Sequence, residues 1–353
     1  MVFRKLKYKE GLKLIAVVPN QRESTIYQSK QFLEFYHKSQ YFRFIGLRPE
    51  FNFFHKDFFF VAGTEGKQLQ CLMACEVDKR THTLGIMGDR KQLNIVYYDA
   101  DVFSYEMLSG LIEYLQTING VKRIFFQNLD KETLFYQHLK RYCLEHDFLN
   151  ILENSTECVR VRIEENNYDT WFSGLSKSVR QNIRTAYNHF KTDNKEYEVR
   201  HYVPAMGGAD YGLFLREMYL QRRRNLEKRG KQFKGANKIL CRIGLYLSMI
   251  NPRTQMLMKS EKSYICELWI EGQLAAFVGG YFSDNGRFFI PFLKYNMDFK
   301  RYSPGGVVIN ESIKYLCQSD YNLKYYDLLT GDEPYKFSYG GEKYDNANIS
   351  IEL

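Results

Sequence analysis

One stretch in the last fifth of the chain constrains its folding more than any other. Tyr302-Ser303-Pro304-Gly305-Gly306 leads into an apolar run at helical spacing, Val307 to Gln318. A β-rich run follows, Leu323 to Leu329, and then Thr330-Gly331-Asp332-Glu333-Pro334-Tyr335-Lys336. The order is glycine turn, helix, strand, turn. The first N–H groups of a helix lack intrahelical partners and carry the positive end of its dipole, so a glycine turn at that place can bind phosphate. The strand delivers Asp327, and the turn beyond it delivers Tyr335 and Lys336. An anion cradle beside titratable groups suits transfer of a group from a phosphate-bearing carrier.

The rest of the chain is organised in the same grammar. After a basic first strand, Ser29 to Lys38 reads as a helix. Phe58 to Ala62 and Leu69 to Glu76 are β-rich and joined by Gly63-Thr64-Glu65-Gly66, a hairpin pattern. Thr83 to Met87 and Leu93 to Tyr98 continue the sheet. Met107, Leu108, Leu111, Ile112 and Leu115 recur at helical spacing within Ser104 to Ile118. A strand (Val121 to Phe126), a helix (Lys131 to Glu145) and a closing strand (Glu157 to Ile163) complete this half. In the second half, helices are expected over Ser176 to Phe190, Tyr211 to Gly230 and Lys238 to Ile250. Strands are expected over Gln255 to Ser260, Ser263 to Ile270, Gln273 to Phe282 and Arg287 to Tyr295. The glycine-turn helix, the Tyr325-Tyr326-Asp327 strand and a last strand near Ala347 to Ile351 follow. Two α/β halves joined near 164–175 predict a duplicated domain, 1–165 and 166–353.

The chain has 353 residues, enough for two domains. Fifty basic residues against 41 acidic ones give a net charge of +9, which favours an anionic partner: a sugar nucleotide, a phosphorylated lipid, tRNA or a membrane surface. Leu12 to Val18 is too short for a signal-peptide core, and no run approaches the ~20 apolar residues of a membrane span. The seven cysteines are scattered and odd in number, which reads as reduced core thiols in a cytoplasmic protein. The seven histidines show no ligand spacing, so no metal is expected.

Transfer of a group to an amine or hydroxyl needs an acceptor that loses a proton, donors for the charge that develops and an acid for the leaving group. Asp327 can serve as base or orient the acceptor, or it can simply cap a turn. Tyr335 can protonate the leaving group or pack as an aromatic, and Lys336 can stabilise an oxyanion. Arg180 and Arg184 lie one helical turn apart and can grip a diphosphate with forked donors, with Lys177 extending the same stripe. Alternatively they form an exposed face. Trp171 reads as a residue packed between the halves, or as an aromatic platform for a sugar ring. Arg222-Arg223-Arg224, with Lys228, Arg229, Lys231, Lys234 and Lys238, is the densest charge cluster: an electrostatic rim for an anion, or a solvated face.

Three segments carry a family resemblance. They are Trp171-Phe172-Ser173-Gly174-Leu175-Ser176 running on to Arg180 and Arg184, Tyr302-Ser303-Pro304-Gly305, and Tyr326-Asp327 running on to Gly331, Glu333, Tyr335 and Lys336. With Leu84-Gly85-Ile86-Met87-Gly88 and Phe126-Gln127-Asn128-Leu129 in the first half, the chain resembles cellulose-biosynthesis-associated acetyltransferases of the CelD/BcsL type. These are double-GNAT proteins related to the FemABX aminoacyltransferases. The resemblance implies an α/β (α+β) fold of two tandem GNAT-like domains, each a mixed, mostly antiparallel sheet flanked by helices. It implies acetyl-CoA or another acyl-CoA as donor, its pyrophosphate held near Arg301, Ser303, Gly305, Gly306 and Val307. It implies Asp327, Tyr335 and Lys336 as catalytic residues. An acceptor on a sugar nucleotide or lipid-linked sugar would meet Lys177, Arg180, Arg184, Arg224 and Tyr302. The alternatives are an aminoacyltransferase fed by charged tRNA, the one case in which nucleic acid is a partner, and a non-catalytic sugar-nucleotide or lipid-binding scaffold. Peripheral membrane contact is compatible with each.

Overall fold

The computed structural model describes residues 1–18, 30–43, 55–87, 96–148, 151–203, 252–283 and 286–353, and between them 220, 223–224, 226–227, 230, 232 and 234–249. The chain divides into two compact units. One comprises Met1–Cys158, Thr330–Asp332 and Lys343–Leu353, and the other Val159–Leu329 and Glu333–Glu342.

In the first unit, β1 (Val2–Lys7), α1 (Tyr8–Leu14) and α2 (Lys30–Arg43) precede a meander of β2 (Lys56–Glu65), β3 (Gln68–Asp78) and β4 (Thr83–Ile86). A two-residue β5 (Tyr97–Tyr98), α3 (Tyr105–Gln116), β6 (Arg123–Asp130), α4 (Leu134–Glu145) and the start of β7 (Ile151–Arg162) follow. The last strand of the chain, β13 (Gly341–Glu352), closes the sheet against β6. The order is β1-β2-β3-β4-β6-β13, with β5 beside β3. Every pair is antiparallel except β4 with β6, which α3 connects. Helix α3 forms because its apolar residues fall on one stripe and Ser104 caps it, accepting from the Met107 N–H at 3.3 Å. All five stripe residues predicted from spacing are buried in one core with Phe59, Val61, Cys71 and Met73, each contributing about 1.5–3 kcal/mol of burial.

In the second unit, α5 (Tyr168–Gly174), α6 (Lys177–Thr192) and β8 (Tyr197–Tyr202) come first, then α7 (Ala236–Met249) and α8 (Pro252–Lys259). The meander here is β9 (Ser263–Ile270), β10 (Gln273–Phe282) and β11 (Arg287–Tyr295). A 3-10 turn (Met297–Tyr302) leads to α9 (Pro304–Cys317), followed by β12 (Tyr325–Thr330) and the short α10 (Pro334–Ser338). The order is β12-β11-β10-β9-β8, and only β11 and β12 run parallel. Val307, Val308, Ile309, Ile313 and Leu316 of α9 share a core with Tyr264, Cys266, Val278, Phe288 and Tyr326.

The two units repeat one topology. In each, an edge strand (β1, β8) pairs with a three-stranded meander, and a helix (α3, α9) carries the chain to a parallel strand (β6, β12). A further helix follows (α4, α10). Each unit is a mixed, mostly antiparallel sheet flanked by helices, as the two halves of the sequence imply.

The structure differs from the sequence reading at particular elements. Gln255 to Ser260, expected as a strand, falls largely within α8: Pro252 starts the helix, and Thr254, Met256, Leu257 and Met258 are buried without strand alternation. Four short elements were not read at all: β8, and α1, α5 and α10, which span only seven, seven and five residues. Compact units also depart from a boundary at 165/166. Lys343–Leu353 belongs with the first unit because β13 completes its sheet, and Val159 onward belongs with the second. The Tyr211 to Gly230 helix lies largely outside the described residues, as do Leu93 to Ile95 of the strand expected over Leu93 to Tyr98, whose end forms β5. All seven cysteines are free thiols, buried except for the half-buried Cys317.

Candidate functional site

The site begins where β11 and β12 part. Their parallel pairing runs Arg287 with Tyr325, Phe288 with Tyr326 and Phe289 with Asp327, and ends there. Beyond that point β11 continues to Tyr295 on β10 alone. The two strands therefore open toward the start of α9.

Helix α9 starts abruptly. Ser303 stands in the left-handed region (φ 44°), its side chain makes no capping bond, and Pro304 occupies the first helical position. The Ser303 carbonyl accepts from the N–H groups of Gly306 (2.9 Å) and Val307 (3.1 Å). Pro304 has no N–H. Among the described residues this leaves the Gly305 N–H as the donor of the first turn without a backbone partner. Gly306 serves close approach as well, and Gly305 does not. A Cβ on Gly306 would lie 2.7 Å from the Tyr339 hydroxyl, and one on Gly305 would lie 3.4 Å from the Tyr295 ring.

Tyrosines gather at this opening. Tyr335 on α10 and Tyr339 just beyond it have hydroxyls pushed up to about 12, chiefly by burial. Glu333 and Tyr295 add to the shift at Tyr335, and Tyr335 adds to that at Tyr339. Both phenols therefore remain protonated at neutral pH and can donate to a developing anion. Tyr339 is positioned from behind by Trp171, whose Nε1 donates to its carbonyl at 3.1 Å. Trp171 is thus a buried member of the second unit's core.

Asp327 sits at the end of the strand pairing and is fully buried. Its Oδ2 accepts from Arg287 Nε at 2.6 Å and its Oδ1 from the Leu329 N–H at 2.7 Å. This carboxylate clasps β12 to β11 where they separate, and no solvent-borne acceptor reaches it as the chain stands. Lys336 is also buried. Its Nζ meets Glu333 Oε2 at 2.9 Å and donates to the Leu329 carbonyl at 3.3 Å. Leu329 (φ 58°) and Gly331 (φ 103°) bend the chain sharply out of β12, and Lys336 ties α10 back onto that bend. Asp327 and Lys336 thus hold the backbone that presents Tyr335.

The other sequence-predicted residues lie elsewhere in the unit. Arg301 forms a two-pronged ion pair with Asp193 (2.6 and 3.0 Å), and the Tyr302 hydroxyl donates to the same carboxylate at 3.0 Å. Tyr302 stacks on Phe190 at 4.9 Å. Both residues fasten the 3-10 turn to the end of α6, so the guanidinium expected at the glycine turn is already engaged. Lys177 is exposed at the start of α6. Arg180 donates to the Ser173 carbonyl, and the Arg184 guanidinium lies 5.9 Å from the Phe172 ring centre. The pair lines one face of α6 beside α5, apart from the residues of the strand opening in sequence and in contacts. Arg224 is half-buried, and Arg222, Lys228, Arg229 and Lys231 of its basic cluster lie outside the described residues. Sequence reasoning missed Tyr295, Tyr339 and Arg287. The glycine pair was the available signal, since adjacent glycines ask what must come close to them.

Comparison with known proteins follows this geometry. Residues 177–337 match the family described as the acetyltransferase (GNAT) domain, a span that includes the strand opening, the glycine turn and α10 as far as Phe337. The crystal structure of FemX is similar over 100% of this chain and 98% of its own, with a TM-score of 0.63 and 10% identity. The C-terminal domain of a putative lysylphosphatidylglycerol synthetase from Agrobacterium fabrum is similar over 98% of this chain and 92% of its own, with a TM-score of 0.52 and 10% identity. At such identities the likeness is one of fold. No curated protein sequence matches the chain.

Proposed function

We propose that the second unit is an acyltransferase that moves an acetyl or other acyl group from acyl-CoA to an amine or hydroxyl of a sugar or carrier-linked sugar. The observation that carries this reading is the parting of β11 and β12 beside the Gly305 N–H, inside the stretch that matches the acetyltransferase domain. The residues fit such a donor. A free backbone N–H at the positive end of a fourteen-residue helix suits a phosphate oxygen. The acceptor's nitrogen or oxygen forms a bond to the thioester carbonyl carbon, and the C–S bond then breaks. The thiolate takes the Tyr335 proton, the acceptor's proton leaves to water, and water returns a proton to the Tyr335 phenolate before the next turnover. Tyr339 lines the donor's approach to the glycine turn. Arg180, Arg184 and Lys177 steer an anionic acceptor. A role in polysaccharide or envelope synthesis, on the cytoplasmic side, follows from the resemblance to the cellulose-associated acetyltransferases. Among the described residues no helix is long and apolar enough to cross a membrane, which is compatible with that placement.

Titration calorimetry with CoA tests the reading. Wild-type protein should bind, and Gly305→Val should lose binding while melting normally, because its first Cβ meets only ordinary contact with Tyr295. Undiminished CoA affinity in Gly305→Val would move the donor elsewhere. A second reading, aminoacyl transfer from charged tRNA, is favoured by the full-length fold likeness to FemX and by the +9 charge. Parallel assays with labelled acetyl-CoA and aminoacyl-tRNA separate the two.

A further inference from the structure

Helix α7 presents a surface that its own unit does not explain. Ile239, Leu240 and Ile243 are 60%, 56% and 38% exposed. Other exposed large apolar residues are mostly isolated along the chain, whereas these three fall within five positions of one helix. At 3.6 residues per turn Ile239 and Ile243 stack one turn apart with Leu240 beside them, making a continuous apolar strip. Cys241 is buried on the opposite side of the helix. Lys238 and Arg242, also one turn apart, flank the strip, and Lys234 lies just ahead of the helix. All three cations are exposed, and among the described residues no ion pair holds them. Ala236–Met249 contains no acidic residue.

We propose that this face of α7 docks the protein on an anionic lipid surface. An exposed apolar strip edged by cations is the pattern of a helix lying in the membrane interface: the apolar side chains enter the headgroup boundary, and the cations meet lipid phosphates. Each such cation strengthens binding roughly fivefold, and three multiply to about a hundredfold. Charge complementarity selects this occupant. A second copy of the chain seated on the same face about a two-fold axis would bring Lys238 and Arg242 against their own counterparts, cation against cation. An anionic surface instead neutralises them. Docking here would keep the acyltransferase unit beside a lipid-carried acceptor.

The test uses the full chain and vesicles of phosphatidylcholine with or without phosphatidylglycerol, read by co-sedimentation. Wild-type protein should bind the anionic vesicles, and added salt should weaken binding. The charge variant Lys238→Glu with Arg242→Glu should lower affinity by at least about tenfold. The triple variant Ile239→Ser, Leu240→Ser and Ile243→Ser should do the same, with unchanged melting because all three side chains are exposed. No binding by wild-type protein would overturn the proposal, as would equal binding by both variants. A wild-type dimer on gel filtration that the triple variant dissolves would overturn it too, in favour of a second copy. The readout involves no turnover, so its failure leaves the acyltransferase reading standing.

Discussion

Replacing Asp327 by Asn distinguishes a clasp from a catalytic base. The amide keeps the shape and can still accept from the Leu329 N–H, so the change removes charge and little else. What remains is Arg287, 5% exposed, facing a neutral group. At the Nε–Oδ2 distance of 2.6 Å the gross attraction is about 6 kcal/mol with an effective dielectric of ~20. Relaxation reduces the cost of removing one charged partner of a buried pair to about 3–5 kcal/mol at most. In a unit of this size each kcal/mol lowers the melting temperature by about 2–4 °C, so Asp327→Asn should fall by up to roughly 6–20 °C. Adding Arg287→Met removes the cation that faced the carboxylate and should restore part of that loss, because a matched apolar replacement of a buried pair is close to neutral. Urea unfolding and thermal melts of the two variants supply the measurement. The reasoning is refuted if Asp327→Asn melts like wild type yet loses turnover, for the carboxylate would then be acting on substrate.

Gly306→Ala places a Cβ 2.7 Å from the Tyr339 hydroxyl. It should weaken CoA binding by roughly tenfold, and Tyr339→Phe in the same chain should recover it, since the next ring atom is 4.0 Å away; recovery failing in calorimetry would dissociate the glycine from the tyrosine. Lys336→Met should cost about 1–3 kcal/mol through the lost bond to the Leu329 carbonyl and the Glu333 pairing. Its turnover should fall with stability, and a lost rate at unchanged melting temperature would return Lys336 to the chemistry. Alkaline titration tests Tyr335 and Tyr339: their hydroxyls are raised from 10.0 to about 12 in the folded chain. Folding stability from these groups should hold up to about pH 10 and decline as pH rises toward 12. Ultraviolet difference spectra showing both phenols ionising near 10 would contradict the burial assigned to them.

The parts of the fold that could be read from the sequence are those written in periodicity. Met107, Leu108, Leu111, Ile112 and Leu115 announce α3 because one stripe of a long helix must be apolar, and Gly272 announces the β9–β10 hairpin because its φ of 67° lies in the left-handed region that favours glycine. Gln255 to Ser260 misleads because its three apolar residues, Met256, Leu257 and Met258, are too few to fix either period, and only the proline at 252 argues for a helix. The return of β13 to the first unit is invisible locally, since strand pairing across more than two hundred residues leaves no spacing to count. At the site, the glycine turn and the Tyr335-Lys336 pair were visible as residue types. Their division of labour was not. Nothing in the string says that Asp193 has taken Arg301, or that Arg287 waits across the sheet for Asp327.

The duplication itself bears on which of the two units suits the proposed donor. In both units the chain leaves a meander, forms a helix and enters a parallel strand, so both offer a helix N-terminus at the corresponding place. They end differently. In the first unit Ser104 has extended backbone (φ −121°), and its hydroxyl accepts from the Met107 N–H, so the protein caps α3 itself. In the second unit the equivalent position is Ser303, held left-handed with its hydroxyl turned to no cap, followed by a proline and two glycines. A left-handed non-glycine residue costs about 1–2 kcal/mol, and a forgone side-chain cap about 1 kcal/mol more. With the topology held constant, that expense falls on the helix inside the acetyltransferase match, and what it yields is an uncapped turn with a free Gly305 N–H. A helix closed by its own serine needs no ligand. One left open at a cost in stability is the one placed to receive a phosphate.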